Sequence, residues 1–423
     1  MRLLYVVQRY GEDIVGGSEA ACRQFAEALT RGGHEVEVLT SCAQSYVTWE
    51  DSYRSGESDI NGVRVHRLPV TAPRRPERFG PTDIWLMSER SSPLLFEQQR
   101  WARQMGPDMA GMRAWLIDNA SRFDAVIFMT YLYANAAMGM AAVAGRVPVV
   151  FQPTAHDEPS LRMPVFESVF RLPDSYLYFT PEEEDVVRRR FRINPAGRVV
   201  GIGIDMDPDM GDVPKFRAEH SLDDAPYLVY VGRLDPMKGV KQLCEFFIAM
   251  KQLNDIPLKL VLAGEELVDL PKHEDIVITG FLDEPTKHAA IAGSTALVQS
   301  SFFESFSIVL CEAWVQQRPA LVQGASTVLR GQAMRSGGAI PYEGYAEFEQ
   351  AVMILLEDPA LADQMGRNGR TYVERNYSWP VVMKGVDESL AMAMDNFAQR
   401  PILLGRRDEA EVAGGVNGLE DSR

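Results

Sequence analysis

Residues 227–239 read YLVYVGRLDPMKG, a five-residue apolar run followed by a loop with glycine at each end. The run is typical of a buried strand, and a doubly wound sheet binds ligands in the loops at the carboxyl ends of its strands. The loop carries Arg233, whose planar guanidinium suits phosphate oxygens, and Lys238, a compact positive charge. The stretch therefore predicts a strand that leads into an anion-binding loop. A surface loop with two solvated bases is the alternative.

Short apolar runs alternate with helical patterns on both sides of this stretch, which is typical of βαβ units and a parallel sheet. The predicted strands of the first half are residues 3–7, 36–40, 125–129, 147–151 and 199–202. Those of the second half are residues 227–231, 258–263, 276–279, 296–299 and 320–322. We therefore predict an α/β protein of two Rossmann-like, doubly wound domains with an interdomain cleft as the ligand site.

The domain boundaries follow from composition. Residues 1–205 form the predicted first domain and residues 227–379 the second. Residues 206–226 between them are acidic and contain proline without apolar periodicity, as in a linker. A helix over residues 380–399 is expected to cross back onto the first domain, and the polar residues 406–423 are expected to be disordered.

The overall charge narrows the possible partners. The 423 residues are 46% hydrophobic and 24% charged, as in an ordinary globular enzyme, with a net charge of -16. Such a charge repels a nucleic-acid backbone, so we expect no nucleic-acid partner. Two basic groups, residues 188–192 and the arginines Arg74, Arg75 and Arg78, are interpreted as solvated surface. Contact of the first group with anionic lipid or an anionic acceptor is the alternative.

Cysteine usage and hydropathy predict a cytoplasmic protein. Cys22, Cys42, Cys244 and Cys311 form no C-x-x-C pair, which argues against a disulfide framework and a thiolate metal site. No apolar stretch reaches the roughly eighteen residues that a membrane-spanning helix needs. Membrane contact is therefore expected to be at most peripheral, on the cytoplasmic face.

A glycine pair follows the first strand. Gly16 and Gly17 precede Ser18, where we expect a helix to begin with Ser18 as its N-cap. Glycines let backbone N–H groups approach a phosphate at a helix N-terminus, although a plain turn is the alternative. The pair is not the G-x-G-x-x-G dinucleotide fingerprint, and no G-K-S or G-K-T of a P-loop occurs in the chain.

Two glutamates mark a third motif. Residues 304–312 read ESFSIVLCE and follow a predicted strand, with Glu304 in the loop and Glu312 in the following helix. We expect that helix to begin near Ser305, so that its first N–H groups favour an anion. The two carboxylates can accept hydrogen bonds from hydroxyl-rich groups, although for Glu312 an ordinary helical glutamate is the alternative.

These three motifs together resemble those of the GT-B glycosyltransferases of family four, over residues 1 to about 395. Members show a glycine pair after the first strand, G-R-L-x-x-x-K-G opening the second domain, and E-x-F-G-x-x-x-x-E. The resemblance implies that Arg233 and Lys238 bind the donor diphosphate, Glu304 the sugar hydroxyls and Glu312 the ribose hydroxyls. Ser307 departs from the family pattern, which usually has glycine at this position.

The resemblance also implies further site residues. His156 follows a first-domain strand and matches a histidine that lies near the transferred sugar, so the expected catalytic set is His156, Arg233, Lys238 and Glu304. The expected donor-binding set adds, beside Glu312, the following residues: Gly16, Gly17, Gly232, Gly264, Phe281, Ser305, Phe306 and Ser307.

The expected reaction is transfer of a sugar from a UDP- or GDP-linked donor, with retention of anomeric configuration, to a glycan, lipid-linked or small-molecule acceptor. No cofactor and no metal ion are expected. Asp205 and Asp207 match D-x-D only in the linker, and His156 has no second histidine at metal-ligand spacing. A nucleotide-sugar epimerase, a phosphorylase of the same architecture and a non-catalytic sugar-nucleotide-binding protein are the alternatives.

Overall fold

The protein is described by a computed structural model that covers residues 1–14, 16–88, 93–194 and 196–400. The sequence prediction for residues 406–423 lies outside the described residues. Two parallel-sheet domains of the doubly wound type confirm the predicted fold class.

The first domain is built on eight strands within the described part of the chain. These are β1 (Arg2–Val6), β2 (Glu35–Ser41), β3 (Gly56–Ile60), β4 (Val63–Leu68), β5 (Ala125–Met129), β6 (Val149–Gln152), β7 (Ser175–Tyr178) and β8 (Gly197–Val199). Their order in the sheet is β3-β4-β2-β1-β5-β6-β7-β8. All neighbours are parallel except the hairpin of β3 and β4 at one edge.

The second domain contains six described strands, all parallel. These are β9 (Tyr227–Val231), β10 (Lys259–Ala263), β11 (Ile276–Gly280), β12 (Ala296–Gln299), β13 (Ala320–Gln323) and β14 (Ala339–Tyr342). Their order in the sheet is β11-β10-β9-β12-β13-β14. Strands β10 and β11 are added on one side of β9, and β12, β13 and β14 on the other. The loops after β9 and β12 therefore lie at the switch point of the sheet, where ligands bind in this architecture.

Helices cover the faces of both sheets. They are α1 (Gly17–Arg31), α2 (Pro76–Met87), α3 (Leu95–Met105), α4 (Met112–Asn119), α5 (Ala134–Val143), α6 (Phe166–Val169), α7 (Pro181–Phe191), α8 (Val213–Glu219), α9 (Val240–Leu253), α10 (Glu284–Ala292), α11 (Ile308–Val315), α12 (Thr327–Ser336), α13 (Tyr345–Glu357), α14 (Pro359–Tyr377) and α15 (Trp379–Gln399). Short 3-10 turns add Ala120–Arg122, Pro159–Arg162 and Pro236–Lys238. Within the described residues, no helix is long and apolar enough to cross a membrane.

Each of the ten predicted strands coincides with an observed strand or overlaps it. The strands that the sequence interpretation missed are β3, β4, β7 and β14. Strand β3 reads GESDI and is almost entirely exposed, because it is an edge strand with no apolar face. The four cysteines are buried free thiols.

The segment predicted as a linker is partly helical, which corrects that interpretation. Helix α8 lies inside it and packs on α10, with Phe216 and Leu222 fully buried in the core. Two apolar residues were too few to show helical periodicity in the sequence. The final helix α15 packs against β7 and β8, where the hydroxyls of Ser175 and Ser389 are 2.7 Å apart and Arg198 pairs with Glu388. The chain thus passes between the domains twice.

Candidate active site

Two glycines allow the loops after β9 and β10 to meet. Gly232 and Gly264 have φ angles of +150° and +153°, values that side-chain-bearing residues rarely adopt. A Cβ atom on Gly264 would lie 1.9 Å from the carbonyl oxygen of Gly232. The two loops can therefore form a common surface only with glycine at position 264.

The loop after β9 fixes the two predicted cations. Asp235 caps the turn Pro236–Lys238, because its Oδ1 accepts hydrogen bonds from the backbone N–H groups of Met237 (2.9 Å) and Lys238 (3.1 Å). The same side chain lies 3.6 Å from the Arg233 guanidinium. Gly239 follows at φ +69°, with its Cα too close to the carbonyl oxygen of Ser300 for a Cβ atom. The backbone geometry of this loop thus fixes the positions from which the Arg233 and Lys238 side chains extend.

Lys238 and Glu304 meet across the switch point. The Lys238 Nζ atom is 2.6 Å from Glu304 Oε1, although 66 residues separate them in sequence. Both side chains remain partly accessible, at 26% and 12%. The ammonium group orients the carboxylate, and both can still reach a ligand in the cleft.

His156 faces this pair from the first domain. Its ring is 5.7 Å from the ring of Phe303, the residue before Glu304. Its Nε2 atom lies 3.3 Å from Glu158, whose carboxylate also accepts a hydrogen bond from the hydroxyl of Tyr131, at 2.5 Å. The structure therefore brings the predicted His156, Lys238 and Glu304 to one place from both domains.

The environment of His156 favours its protonated form. Burial lowers the pKa of His156, but the hydrogen bond and charge of Glu158, and then the charge of Glu304, outweigh burial and raise it. Burial conversely raises the pKa of Glu158, while the hydrogen bond and charge of His156 lower it below its ordinary value. The two shifts have the same cause, a close imidazolium–carboxylate pair.

A buried carboxyl group holds the His156 loop. Glu183 of α7 accepts hydrogen bonds from the backbone N–H groups of Ala155 (2.7 Å) and Phe179 (2.6 Å). Burial raises the pKa of Glu183 to about 8, although these two bonds oppose the shift. Sequence reasoning missed Glu183. Its role in holding the loops after β6 and β7 is visible only from its contacts in the structure.

Helix α11 begins three residues later than expected. Its N-cap is Ser307, and Ile308 is its first residue, so Glu304 lies in the loop four residues before the helix. Ser307 has φ +74°, a left-handed conformation that glycine adopts without strain. This conformation accounts for the glycine that the family pattern has at this position. The Ser307 hydroxyl accepts a hydrogen bond of 2.9 Å from Gln299, at the end of β12.

Glu312 has an ionic partner that sequence reasoning missed. The Lys287 ammonium of α10 is 2.8 Å from Glu312 and 2.8 Å from Glu284. Burial would lower the pKa of Lys287, but the two carboxylates outweigh it and raise the pKa, so the lysine remains charged. Glu284, His288 and Glu312 are close enough to hold a metal ion, but the Lys287 ammonium already lies between the two carboxylates.

The glycine turn of the first domain differs from the expected one. The N-cap of α1 is Gly16 and Gly17 is its first residue, so the prediction that Ser18 is the cap was wrong. The hydroxyl of Ser18 instead donates to Glu19 at 2.8 Å, and Glu19 forms a buried ion pair of 2.6 Å with Arg9. No side chain therefore caps the first N–H groups of α1.

Comparison with known proteins addresses both domains. Residues 16–203 match the family model for a glycosyl transferase 4-like domain, and residues 212–372 match that for glycosyl transferases group 1. The chain is 25% identical to the glycogen synthase of Mycobacterium tuberculosis over 411 residues, which are 90% of this chain and 92% of the relative. The alpha-D-kanosaminyltransferase of Streptomyces kanamyceticus is 26% identical over 219 residues, 48% of this chain and 56% of the relative.

The chain belongs to the family 4-like GT-B glycosyltransferases. Solved structures agree on the fold. The sucrose-phosphate synthase of Thermosynechococcus elongatus has a TM-score of 0.67 at 17% identity, covering 93% of this chain and 99% of that one. HepE of Anabaena, in complex with UDP and glucose, has a TM-score of 0.63 at 13% identity, covering 92% and 99%.

Other predicted donor-binding residues of this glycosyltransferase take varied positions. Phe281 follows β11 with 69% of its surface exposed, so its ring is available to a ligand. Phe306 is instead buried, with its ring 6.2 Å from Phe179 and 4.8 Å from Tyr377, so its side chain belongs to the domain interface. Ser305 accepts a hydrogen bond from Thr180 of the first domain through its carbonyl oxygen.

Two tyrosines of the first domain meet the donor-side loop of the glycosyltransferase. The Arg233 guanidinium lies 5.0 Å from the ring centroid of Tyr46, and Arg9 lies 5.3 Å from the same ring. Burial raises the pKa of the Tyr133 phenol. The positive charges of Arg9, Arg74 and Arg233 lower that pKa, so all three lie near enough to act on the phenol. No motif in the sequence marked either tyrosine.

Proposed function

We propose that this glycosyltransferase transfers a hexosyl group from a nucleoside-diphosphate sugar to a hydroxyl-bearing acceptor, with retention of anomeric configuration and without a metal cofactor. The observation that carries the proposal is the meeting of His156 from the first domain with Lys238 and Glu304 from the second. A donor bound between the domains would contact Lys238 with its diphosphate, and Glu304 and His156 with its sugar.

The diphosphate is expected to lie on the loops after β9 and β12. Arg233 and Lys238 supply positive charge, and the N-terminus of α11 presents backbone N–H groups. Charge develops on the diphosphate as the bond from the anomeric carbon to its oxygen breaks. Groups held in place before that step stabilise the transition state more than mobile water can. These cations provide what a divalent metal provides in other transferases.

The sugar is expected to lie against Glu304 and His156. The Glu304 carboxylate accepts hydrogen bonds from sugar hydroxyls, while the protonated His156 donates one. In a retaining transfer the acceptor oxygen attacks on the face that the diphosphate leaves, and a diphosphate oxygen takes the acceptor's proton. His156 held charged by Glu158 is a poor base, which agrees with an orienting role.

UDP-linked donors are the first to test. HepE of Anabaena has been solved with UDP and glucose and also with UDP-glucose. The ribose hydroxyls are assigned to Glu312 and the base to the exposed Phe281.

Two measurements test the proposal. Calorimetric titration with UDP-glucose, other UDP-sugars and GDP-mannose should find one donor that binds, and absence of binding by all of them contradicts the proposal. Proton NMR of the first-formed product, from an α-linked donor in excess EDTA, should show an α-linkage. A β-linkage contradicts retention, and activity abolished by EDTA contradicts metal independence.

A further inference from the structure

The first domain contains a cavity of about 310 Å³ whose lining is rich in arginine. It lies between α2 and α3, in the part of the chain where the sequence offered no motif. Arg74, Arg75, Arg78 and Arg103 line it, against one carboxylate, that of Asp108. Small-ligand sites commonly have volumes on the order of 300–1,000 Å³, so this cavity is at the small end of that range.

Arg74 builds the wall of the cavity. Its guanidinium donates hydrogen bonds to the carbonyl oxygens of Tyr46, Val47 (2.9 Å) and Met105 (3.2 Å). It also lies 5.5 Å from the ring centroid of Trp49 and 4.8 Å from that of Phe79. Its charge is held in place by carbonyl oxygens and aromatic rings; no carboxylate of the described residues is in ion-pair contact with it, although the charge of Asp83 acts on it. The interpretation of Arg74 as solvated surface was therefore wrong.

The other three guanidinium groups are available to a ligand. Arg75, Arg78 and Arg103 are exposed, and none has a hydrogen-bond or ion-pair partner for its side chain within the described part of the chain. The other basic group behaves differently. Arg188 and Arg190 pair with Glu184 and Glu167 at 2.8 and 2.7 Å, and Arg189 pairs with Asp185. The chain thus pairs three arginines of that group with carboxylates, whereas the cavity has four arginines around the single carboxylate of Asp108.

The cavity adjoins the donor site through shared aromatic residues. Trp49, in its lining, lies edge-on to Tyr133 at 5.4 Å, and Tyr133 is among the residues near Arg233. Tyr46, whose carbonyl oxygen binds Arg74, presents its ring to Arg233. An anion in the cavity is therefore bound by the first domain, beside the wall that meets the donor loop.

We propose that this cavity binds a dianionic group of the acceptor, of the phosphate monoester type. The inference rests on the proposed function, because it names the acceptor class of the same enzyme. Guanidinium groups suit phosphate because their planar forks donate paired hydrogen bonds to two of its oxygens. Three of them without carboxylate partners match a charge of two better than a neutral sugar.

The phosphate could belong to a soluble ester or to a lipid headgroup. Large apolar side chains are exposed near the same helices, at Ile84, Trp85, Leu94, Leu95 and Phe96. Such residues beside arginines are typical of a surface that contacts anionic lipid. The chemistry of the cavity is the same for both sources, so the experiment separates them.

The first arm measures anion binding directly. Inorganic phosphate is titrated calorimetrically into the full-length protein saturated with UDP, so that the donor diphosphate site is occupied. We expect phosphate to bind the wild type. Its affinity for Arg78→Ala/Arg103→Ala should be lower by about tenfold or more, because the double variant loses at least one charged contact. Arg146→Ala, an exposed first-domain arginine away from the cavity, is the control and should bind as the wild type does.

The second arm identifies the source of the phosphate. Transfer from the preferred donor is compared for glucose 6-phosphate and glucose, and for inositol 1-phosphate and inositol. Sedimentation is compared with vesicles of phosphatidic acid, whose headgroup is a phosphate monoester, and phosphatidylcholine, against phosphatidylcholine alone. A preference for soluble esters that the double variant loses supports a soluble acceptor. Vesicle binding that both the double variant and Trp85→Ser/Phe96→Ser lose supports a lipid headgroup.

The inference is overturned if phosphate binds the wild type and the double variant equally, or does not bind the UDP-saturated wild type. These outcomes differ from failure of the proposed function. If no nucleotide sugar binds, the donor assignment fails first. The acceptor inference alone fails under a different set of results. In that case UDP binds, wild type and double variant hydrolyse the donor equally in the absence of acceptor, and the double substitution does not change phosphate binding.

Discussion

The two domains of this glycosyltransferase have similar sheets but place their functional groups differently. In the second domain, the loops after β9 and β12 carry Arg233, Lys238 and Glu304 within a few residues of a strand end. The first domain adds an antiparallel edge hairpin, and three helices fill the chain between β4 and β5. Its proposed cleft-facing groups come from other loops, with Tyr46 between β2 and β3 and Tyr133 between β5 and α5. Each of these groups of the proposed donor site thus follows a strand end closely within a recognisable motif, while the groups of the proposed acceptor side come from loops without such a landmark.

The largest expected effect tests the donor loop of the second domain. Arg233→Ala or Lys238→Ala should leave the fold intact and reduce turnover by about a hundredfold or more, because each removes a donor to developing negative charge. Lys241→Ala, an exposed lysine just past the same loop, is the matched control and should keep wild-type turnover. Steady-state kinetics with the preferred donor measures this. Unchanged turnover in both loop variants removes them from the site.

Glycine substitutions should affect the two domains unequally. Gly264→Ala places a Cβ atom against the Gly232 carbonyl oxygen and should lower the free energy of unfolding by about 2 kcal/mol or more. Gly280→Ala is also strained, at φ +75°, but its added Cβ atom contacts no other atom. This substitution should lower the free energy of unfolding by about 1 kcal/mol. Gly17→Ala in the first domain has neither problem and should be neutral. Urea denaturation ranks the three, and equal losses would contradict the backbone argument.

The pH dependence of the His156–Glu158 pair tests the contribution of the first domain. The raised His156 pKa stabilises the fold below the ordinary histidine value of 6.5 and ceases to do so as pH rises through the folded value. The lowered Glu158 pKa stabilises it above 4.5, and that contribution is lost as pH falls. The pair should therefore contribute most between these two values.

Glu158→Gln removes the charge that raises the His156 pKa. NMR titration of the His156 ring protons should show a lower pKa in this variant, and its stability deficit should shrink at pH values well above neutrality. The ring-proton signals of His220, at the end of α8, are the internal reference for the comparison of the two proteins. A His156 pKa that does not change in Glu158→Gln refutes the pairing as its cause.

The smallest expected effect concerns domain closure. Arg335 of α12 pairs with Glu182 of α7 across the domain interface, with Nη2 3.1 Å from Oε2. This pair is partly solvent-exposed, so Arg335→Ala should destabilise the closed form by about 1 kcal/mol or less. Small-angle scattering should show compaction on UDP binding in the wild type and a larger change in Arg335→Ala. Identical profiles with and without saturating UDP speak against closure.

Much of the second domain could be predicted from the sequence because its signals are local. Strands β9 and β12 matched the predicted bounds, since each is a short apolar run buried on both faces. The loop after β9 was recognised because glycines and cations follow the strand directly. The start of α11 was misplaced by three residues, because the left-handed Ser307 that begins it is visible only in the backbone.

The first domain was predicted less completely. Strand β3 has no apolar face, and Tyr46, Tyr133 and Glu183 carry no local pattern that distinguishes them from other residues. The arginines at residues 74–78 were noticed but interpreted as surface. Only the positions of Trp49 and Phe79 around Arg74 show that these arginines border a cavity.

The fold class, the family and the cations of the loop after β9 could be inferred from the sequence alone, because strand periodicity, glycine requirements and loop charges are features of near neighbours. The contacts between distant charges emerge from the three-dimensional structure: Lys238 with Glu304, Lys287 with Glu312, and His156 with Glu158 beside them. These contacts depend on how the two sheets and their connecting helices are placed in space. Interactions between solvent-exposed charges are largely screened beyond about 10 Å at 0.1 M salt. The strength of each pair therefore depends on its separation in space and not on its distance along the chain.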